Sequence, residues 1–232
     1  IFFAMLTTWV RRAYNNVMAP WKVNSFTFPF VTMTWVMLLA ARIFAGFDPS
    51  GLSHPALPAM GAAFDLDMSF PSLVEYWLKG VAQVFLVNSW VTGALFLIGL
   101  FVCSRWAAIW AALGSAIALA LAILFKANPA DISEGLFGFS PVLTAIALGT
   151  TFYQVNWSSA AWTVAGVVAA VFVQGAMDVL LEPVGIPTLT GPFCITTWLF
   201  LLPLYKFGKG QVDHSAWRAK VKELQAEADE KL

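Results

Sequence analysis

TFPFVTMTWVMLL, Thr27 to Leu39, returns as TGPFCITTWLFLL, Thr190 to Leu202. Aligned without gaps, the two stretches share Thr, Pro, Phe, Thr, Trp, Leu and Leu, at an offset of 163 residues (190 − 27) in a chain of 232. A repeat that long, in a chain this short, reads as one complete unit preceded by the end of another. At the same offset, a counterpart of Gln83 would lie 80 positions before Ile1 (83 − 163). The N-terminal part of a first repeat is therefore expected to lie outside this sequence, which does not begin with Met.

Composition supplies the solvent. Hydrophobic residues make up 59% of the chain and charged ones 11%, with a mean hydropathy of +0.75. A soluble domain carries roughly a quarter charged residues, so the fold class is an all-α integral membrane protein. Runs such as Trp106 to Phe125 and Ser158 to Met177 approach the ~20 apolar residues a spanning helix needs. They are continuous rather than alternating, which disfavours barrel strands. Cys103 and Cys194 lie in apolar segments without Cys or His neighbours and read as buried free thiols. His54 and His214 lack partners at metal-ligand spacing, so neither a metal nor a cofactor is expected. Zero net charge without a basic stripe argues against nucleic acid.

Along the chain, membrane helices are expected at about 1–18, 26–45, 89–103, 106–125, 139–154, 159–181 and 190–206. Phe70 to Trp90 is apolar but holds Glu75, Lys79 and Gln83 at helical spacing. It is too polar and too short for a full span, so a re-entrant half-length helix is expected there, lining a cavity. The organisation is then 1–45, the end of a first repeat; 46–69, an outer linker; 70–206, the second repeat; and 207–232, a cytoplasmic tail. Arg11, Arg12, Lys22, Arg105 and the basic tail on one side satisfy the positive-inside rule. The helix from Phe26 then starts inside and its copy from Thr190 starts outside, an inverted pair of the kind that forms sites at the repeat interface.

Coupled transporters need ionisable groups at depth. The expected spans contain none far from an end: Arg42, Asp178 and Glu182 lie in terminal turns. Passive passage of a neutral solute is the reading, against a scaffold with no pore. Three elements carry polar or small residues where apolar bulk is expected. Gln83 is one, and its amide must be satisfied at depth, by solute or by neighbouring backbone. GLFGFSPVLTAIALG, Gly135 to Gly149, is another; its glycines serve either helix packing or a pore faced by Leu143. The paired T-x-P-F is the third. Thr before Pro is a good helix N-cap, whereas two caps related by inversion fit a pore midpoint.

Beyond these features, KGVAQVFLVNSWVTGALFLIGLF (Lys79 to Phe101), GLFGFSPVLTAIALG and GIPTLTGPFCITTWLFLL (Gly185 to Leu202) resemble the second repeat of the urea transporter family, and residues 1–45 resemble the end of its first. The resemblance implies ten membrane helices plus two half-length pore helices, a pore on a pseudo-two-fold axis, and a homotrimer in the cell membrane (bacterial inner membrane or plasma membrane). Urea and the lipid bilayer are the implied partners. Matched residue by residue, Gln83 falls at an outer urea site with Val84 beside it. Leu86 stands where some members place a slot-forming Phe, so Phe96 is the candidate for the constriction. Leu143 matches a pore leucine, and Thr190 and Thr27 match two mid-pore threonines. Ser140 stands where Asn is usual, and Val23-Asn24 replaces Leu-Pro. The implied function is channel-like urea transport rather than an enzymatic one. The alternatives are a channel for ammonia or another small neutral solute, and a non-conducting scaffold.

Overall fold

Proline marks four helix starts, as its fixed φ and missing N–H allow in a first helical turn. Pro29, Pro71, Pro129 and Pro192 open α2 (Phe28–Ile43), α3 (Phe70–Ala82), α6 (Pro129–Ser133) and α9 (Gly191–Leu201). The computed structural model describes residues 2–44, 46, 54–56 and 64–203. The remaining helices are α1 (Phe2–Met18), α4 (Trp90–Cys103), α5 (Arg105–Leu124), α7 (Phe139–Ile146) and α8 (Trp157–Leu181). Most of the 46–69 linker and all of the 207–232 tail lie outside the described residues, as does the end of the helix expected to reach 206.

Among the described residues two helices are long and apolar enough to cross a membrane unaided, Arg105–Leu124 and Trp157–Val184. A third candidate is the pair Phe70–Phe85 and Trp90–Cys103, bent by 72° at the break between them. Alone, α3 has 13 residues, about 20 Å at 1.5 Å each, short of a span. A 3-10 turn, Gln83–Phe85, closes it, and Leu86 then reverses the chain in the left-handed region at φ 58°. At its other end the Asp67 carboxylate accepts from the Ser72 hydroxyl, 2.5 Å, and from Ser69 N, 2.9 Å, which holds its pKa below the usual range.

The core forms around α7, which packs on α3, α5, α8 and α9. Its helix was expected to run to 154. Instead it changes at Ala147–Thr151 into a π-helical turn, where the Thr150 and Thr151 hydroxyls both donate to the Ile146 carbonyl. Side-chain hydroxyls competing for backbone carbonyls in this way break the regular ladder. The helix expected from 26 starts at Phe28, because Phe26 is left-handed at φ 50°. Cys194 is buried as expected, whereas Cys103, at the last position of α4, is exposed among the described residues.

Close crossings explain the small residues. Gly138 meets Gly80 so tightly that a Cβ on Gly138 would lie 2.4 Å from the Gly80 Cα. A Cβ on Gly93 would strike the Leu78 carbonyl oxygen at 2.0 Å. Both obstacles are backbone, so the helices would have to separate. We expect Gly138→Ala to lower stability by about 1–3 kcal/mol, the usual range for overpacking. Gly99→Ala, on the same bundle with nothing within 4 Å of its added Cβ, should be neutral or stabilising. Thermal unfolding of both variants in detergent compares them directly.

Candidate functional site

The α1–α2 and α8–α9 junctions follow one local plan. Each helix ends in a 3-10 turn, Ala19–Trp21 and Glu182–Val184, closed by a left-handed residue, Lys22 and Gly185. A second left-handed residue, Phe26 or Leu189, then stands immediately before Thr27 or Thr190. Non-glycine residues in that region cost of order 1 kcal/mol or more, and such strain clusters at functional sites. Every one of these features recurs at the 163-residue offset.

Both threonines sit at the N-cap position, yet neither side chain caps its helix. The carbonyl of Ser25 accepts from Phe28 N at 3.1 Å, and that of Thr188 accepts from Gly191 N at 3.1 Å. Pro29 and Pro192 have no N–H to satisfy. The capping reading of the sequence is thus replaced by another arrangement. The hydroxyls are released from the backbone and meet each other, with Thr27 Oγ1 and Thr190 Oγ1 2.6 Å apart. Cys194 Sγ lies 3.4 Å from Thr27 Oγ1.

Tryptophans reinforce the junction reciprocally. Trp35 Nε1 donates to the Pro187 carbonyl at 2.9 Å, and Trp198 Nε1 donates to the Asn24 carbonyl at 3.1 Å. Trp35 and Trp198 are 163 residues apart, as are Asn24 and Pro187. Residue i of one segment therefore bonds residue j of the other, and their counterparts do the same, the signature of a two-fold contact. Leu143 packs beside this junction with Ala147, Phe193 and Cys194.

Gln83 is buried and part of a polar stripe. Lys79 pairs with Glu75 at 2.8 Å and reaches the Ser133 carbonyl at 3.3 Å. One turn on, Gln83 Nε2 donates to the Glu134 carbonyl at 2.9 Å. These two side chains satisfy carbonyls at the end of α6, which has too few residues to satisfy its own. The amide of Gln83 is thus tied to backbone through its nitrogen. Val84 and Phe96 pack together on Val81, Ala111 and Val142, while Leu86 is exposed.

An aromatic pair escaped the sequence reading. Phe85, next to the candidate Val84, stacks on Phe96 with centroids 4.0 Å apart and planes at 10°. A flat guest between two rings needs about 7 Å, twice a carbon contact distance. The pair is closed as it stands. Gln174 was not among the expected site residues, although a Gln within the apolar α8 is a signal, and Asp178 was expected only as a terminal-turn group. Gln174 is 2% exposed and joins Ser140, Thr188 and Asp178 in one hydrogen-bonded cluster.

The hydroxyl contact predicts a coupling. In a cycle of Thr27→Val, Thr190→Val and the double variant, chemical unfolding in detergent should give about 0.5–1.5 kcal/mol of interaction energy, the net worth of one hydrogen bond.

The sequence model for "Urea transporter" matches residues 1–205. Among curated proteins, Urea transporter 1 of Ovis aries is 30% identical over 190 residues, covering 82% of this chain and 49% of the relative. Urea transporter 1 of Rattus norvegicus is 29% identical over 194 residues, with the same coverages of 82% and 49%. The chain spans about half the length of the curated relatives it matches. With most of its length matched, this all-helical membrane chain belongs to the urea transporter family.

Proposed function

We propose that the protein to which this chain belongs conducts urea passively across a cell membrane, through a pore whose midpoint is the Thr27–Thr190 contact. That contact carries the reading. Two helix N-termini converge on one point, and two hydroxyls are left unengaged by either backbone. The convergence concentrates the positive ends of two helix dipoles, which opposes cations while tolerating a neutral solute. Urea offers four N–H donors and one carbonyl; hydroxyl oxygens and the Gln83 Oε1 are acceptors for the former. Apolar walls supplied by Leu143 and Val84 exclude ions that need full hydration shells.

The reciprocal tryptophan bonds and the shared junction geometry support an inverted repeat, with the two-fold axis running between the threonines. The 72° bend after Phe85 supports a re-entrant α3. On this reading residues 1–45 end a first repeat, 70–206 form the second, the tail is cytoplasmic, and three copies assemble with one pore each. Phe96 and Phe85 form a closed gate near Gln83, opened by rotation of Phe85, whose ring is 58% exposed.

Proteoliposomes containing the full natural chain test the reading by light scattering after an osmotic urea jump. Urea flux should exceed that of empty vesicles and be unaffected by membrane potential or a proton gradient. Flux driven by the proton gradient would reject a passive pore. Vesicles no leakier than empty ones would favour a scaffold, and preferential ammonia flux would favour the other solute. Thr190→Val should reduce urea flux per folded subunit; unchanged flux would return the hydroxyl pair to a purely structural role.

A further inference from the structure

The cluster beneath Thr190 has no part in the pore described above, yet it is joined to it through two residues of chain. Ser140 Oγ donates to Gln174 Oε1 at 2.9 Å. Gln174 Nε2 donates to Thr188 Oγ1 at 2.9 Å and to Asp178 Oδ1 at 2.9 Å. Thr188 Oγ1 donates to Asp178 Oδ1 at 3.1 Å. The amide of Gln174 therefore uses its oxygen and both N–H groups, which fixes its orientation. The chain of donors runs in one direction, from α7 through α8 to a carboxylate acceptor, and each hydrogen bond strengthens the next in a buried setting.

Thr188 links this cluster to the pore element. Its hydroxyl is held by α8, and its carbonyl accepts Gly191 N and so starts α9. Only Leu189, in the left-handed region, separates it from Thr190. At the other end, Ser140 lies one helical turn before Leu143 on α7. The cluster thus spans from the leucine wall to the threonine.

The first junction has a counterpart at the same register. Asn15 stands 163 positions before Asp178, and Ser25 163 before Thr188. Asn15 Oδ1 accepts from Ser25 N at 3.0 Å, and the Ser25 carbonyl starts α2 by accepting Phe28 N. A side-chain oxygen from the preceding helix therefore tethers the residue two before each threonine.

We propose that Gln174 and Asp178, with Asn15 as the counterpart of Asp178, are positioning residues that set the height and rotation of the two hydroxyls. Whether the hydroxyls then select urea rests on the pore reading; that the cluster places them does not. Asp178→Asn keeps an Oδ1 acceptor, the one Asn15 uses, and should retain most of the wild-type behaviour. Gln174→Met and Asp178→Leu remove the tether without charge and should move Thr190.

Two measurements on the full natural chain separate the questions. The first is geometric: Thr27→Cys in a Cys103→Ser background places a thiol beside Cys194, and mild oxidation should cross-link them, read by peptide mass spectrometry. Adding Gln174→Met or Asp178→Leu should slow cross-linking about threefold or more, the factor for one ordinary hydrogen bond, while Asp178→Asn should not. The second is the urea to methylurea flux ratio in proteoliposomes, which should shift in Gln174→Met and Asp178→Leu at equal amounts of folded protein. Unchanged cross-linking in both of these variants overturns the proposal, as does an unmoved flux ratio in a conducting wild type. A pair that never cross-links with the cluster intact overturns the register on which it stands. Slowed cross-linking in these variants, when the wild type conducts no urea, would leave the positioning role standing and reject the urea reading.

Discussion

Two helices begin at the same place. Their unpaired N–H groups and dipoles would normally demand side-chain caps or water at such a point. The chain resolves this with backbone alone: carbonyls two residues upstream take one N–H each, and prolines remove another. The rest of the architecture serves that solution. The left-handed Phe26 and Leu189 turn the backbone so those carbonyls face forward. The tryptophans then tie each junction to the other segment, and α7 presses Leu143 against the meeting point.

The polar groups at depth fall into two kinds. Gln83, Lys79, Gln174 and Asp178 are bonded to carbonyls or to each other and stiffen the elements that carry them. Thr27 and Thr190 are bonded chiefly to one another, a contact that a solute with N–H donors can replace at little net cost. This division sets the proposed passage apart from the framework around it. The two glutamines are buried, at 7% and 2% exposed for Gln83 and Gln174, while Thr27 is exposed.

Much of this was legible in the sequence. The repeated T-x-P-F stretch located the junction, since Thr, Pro and Trp each have a distinct backbone or hydrogen-bonding use and recurred together. The polar stripe of Glu75, Lys79 and Gln83 located α3, because its spacing matches a helix face. What stayed hidden depends on backbone geometry and on contacts between elements. The residue types around Thr27 do not say that the Ser25 carbonyl, by taking Phe28 N, leaves its hydroxyl free of capping. Phe85 lies beside the expected Val84, and only the 3-10 geometry of Gln83–Phe85 turns its ring onto Phe96. Asp178 reads as a terminal-turn residue and Gln174 as a polar group in an apolar helix; what joins them is Ser140 and Thr188, on other elements.

Phe28 and Gly191 occupy the same register in the two junctions but differ by an entire aromatic ring. Phe28 packs edge-on against Trp198 at 4.9 Å. At the matching place a Cβ on Gly191 would already lie 3.2 Å from the Trp35 ring and 3.0 Å from Met177 Cε. Bulk on one side therefore faces a tightly filled place on the other, where Met177 and the Trp35 ring already take the room a side chain would need. The two junctions are therefore not interchangeable: a side chain placed at residue 191 would collide with the Trp35 ring and Met177, whereas the matching position in the other junction holds a whole phenylalanine.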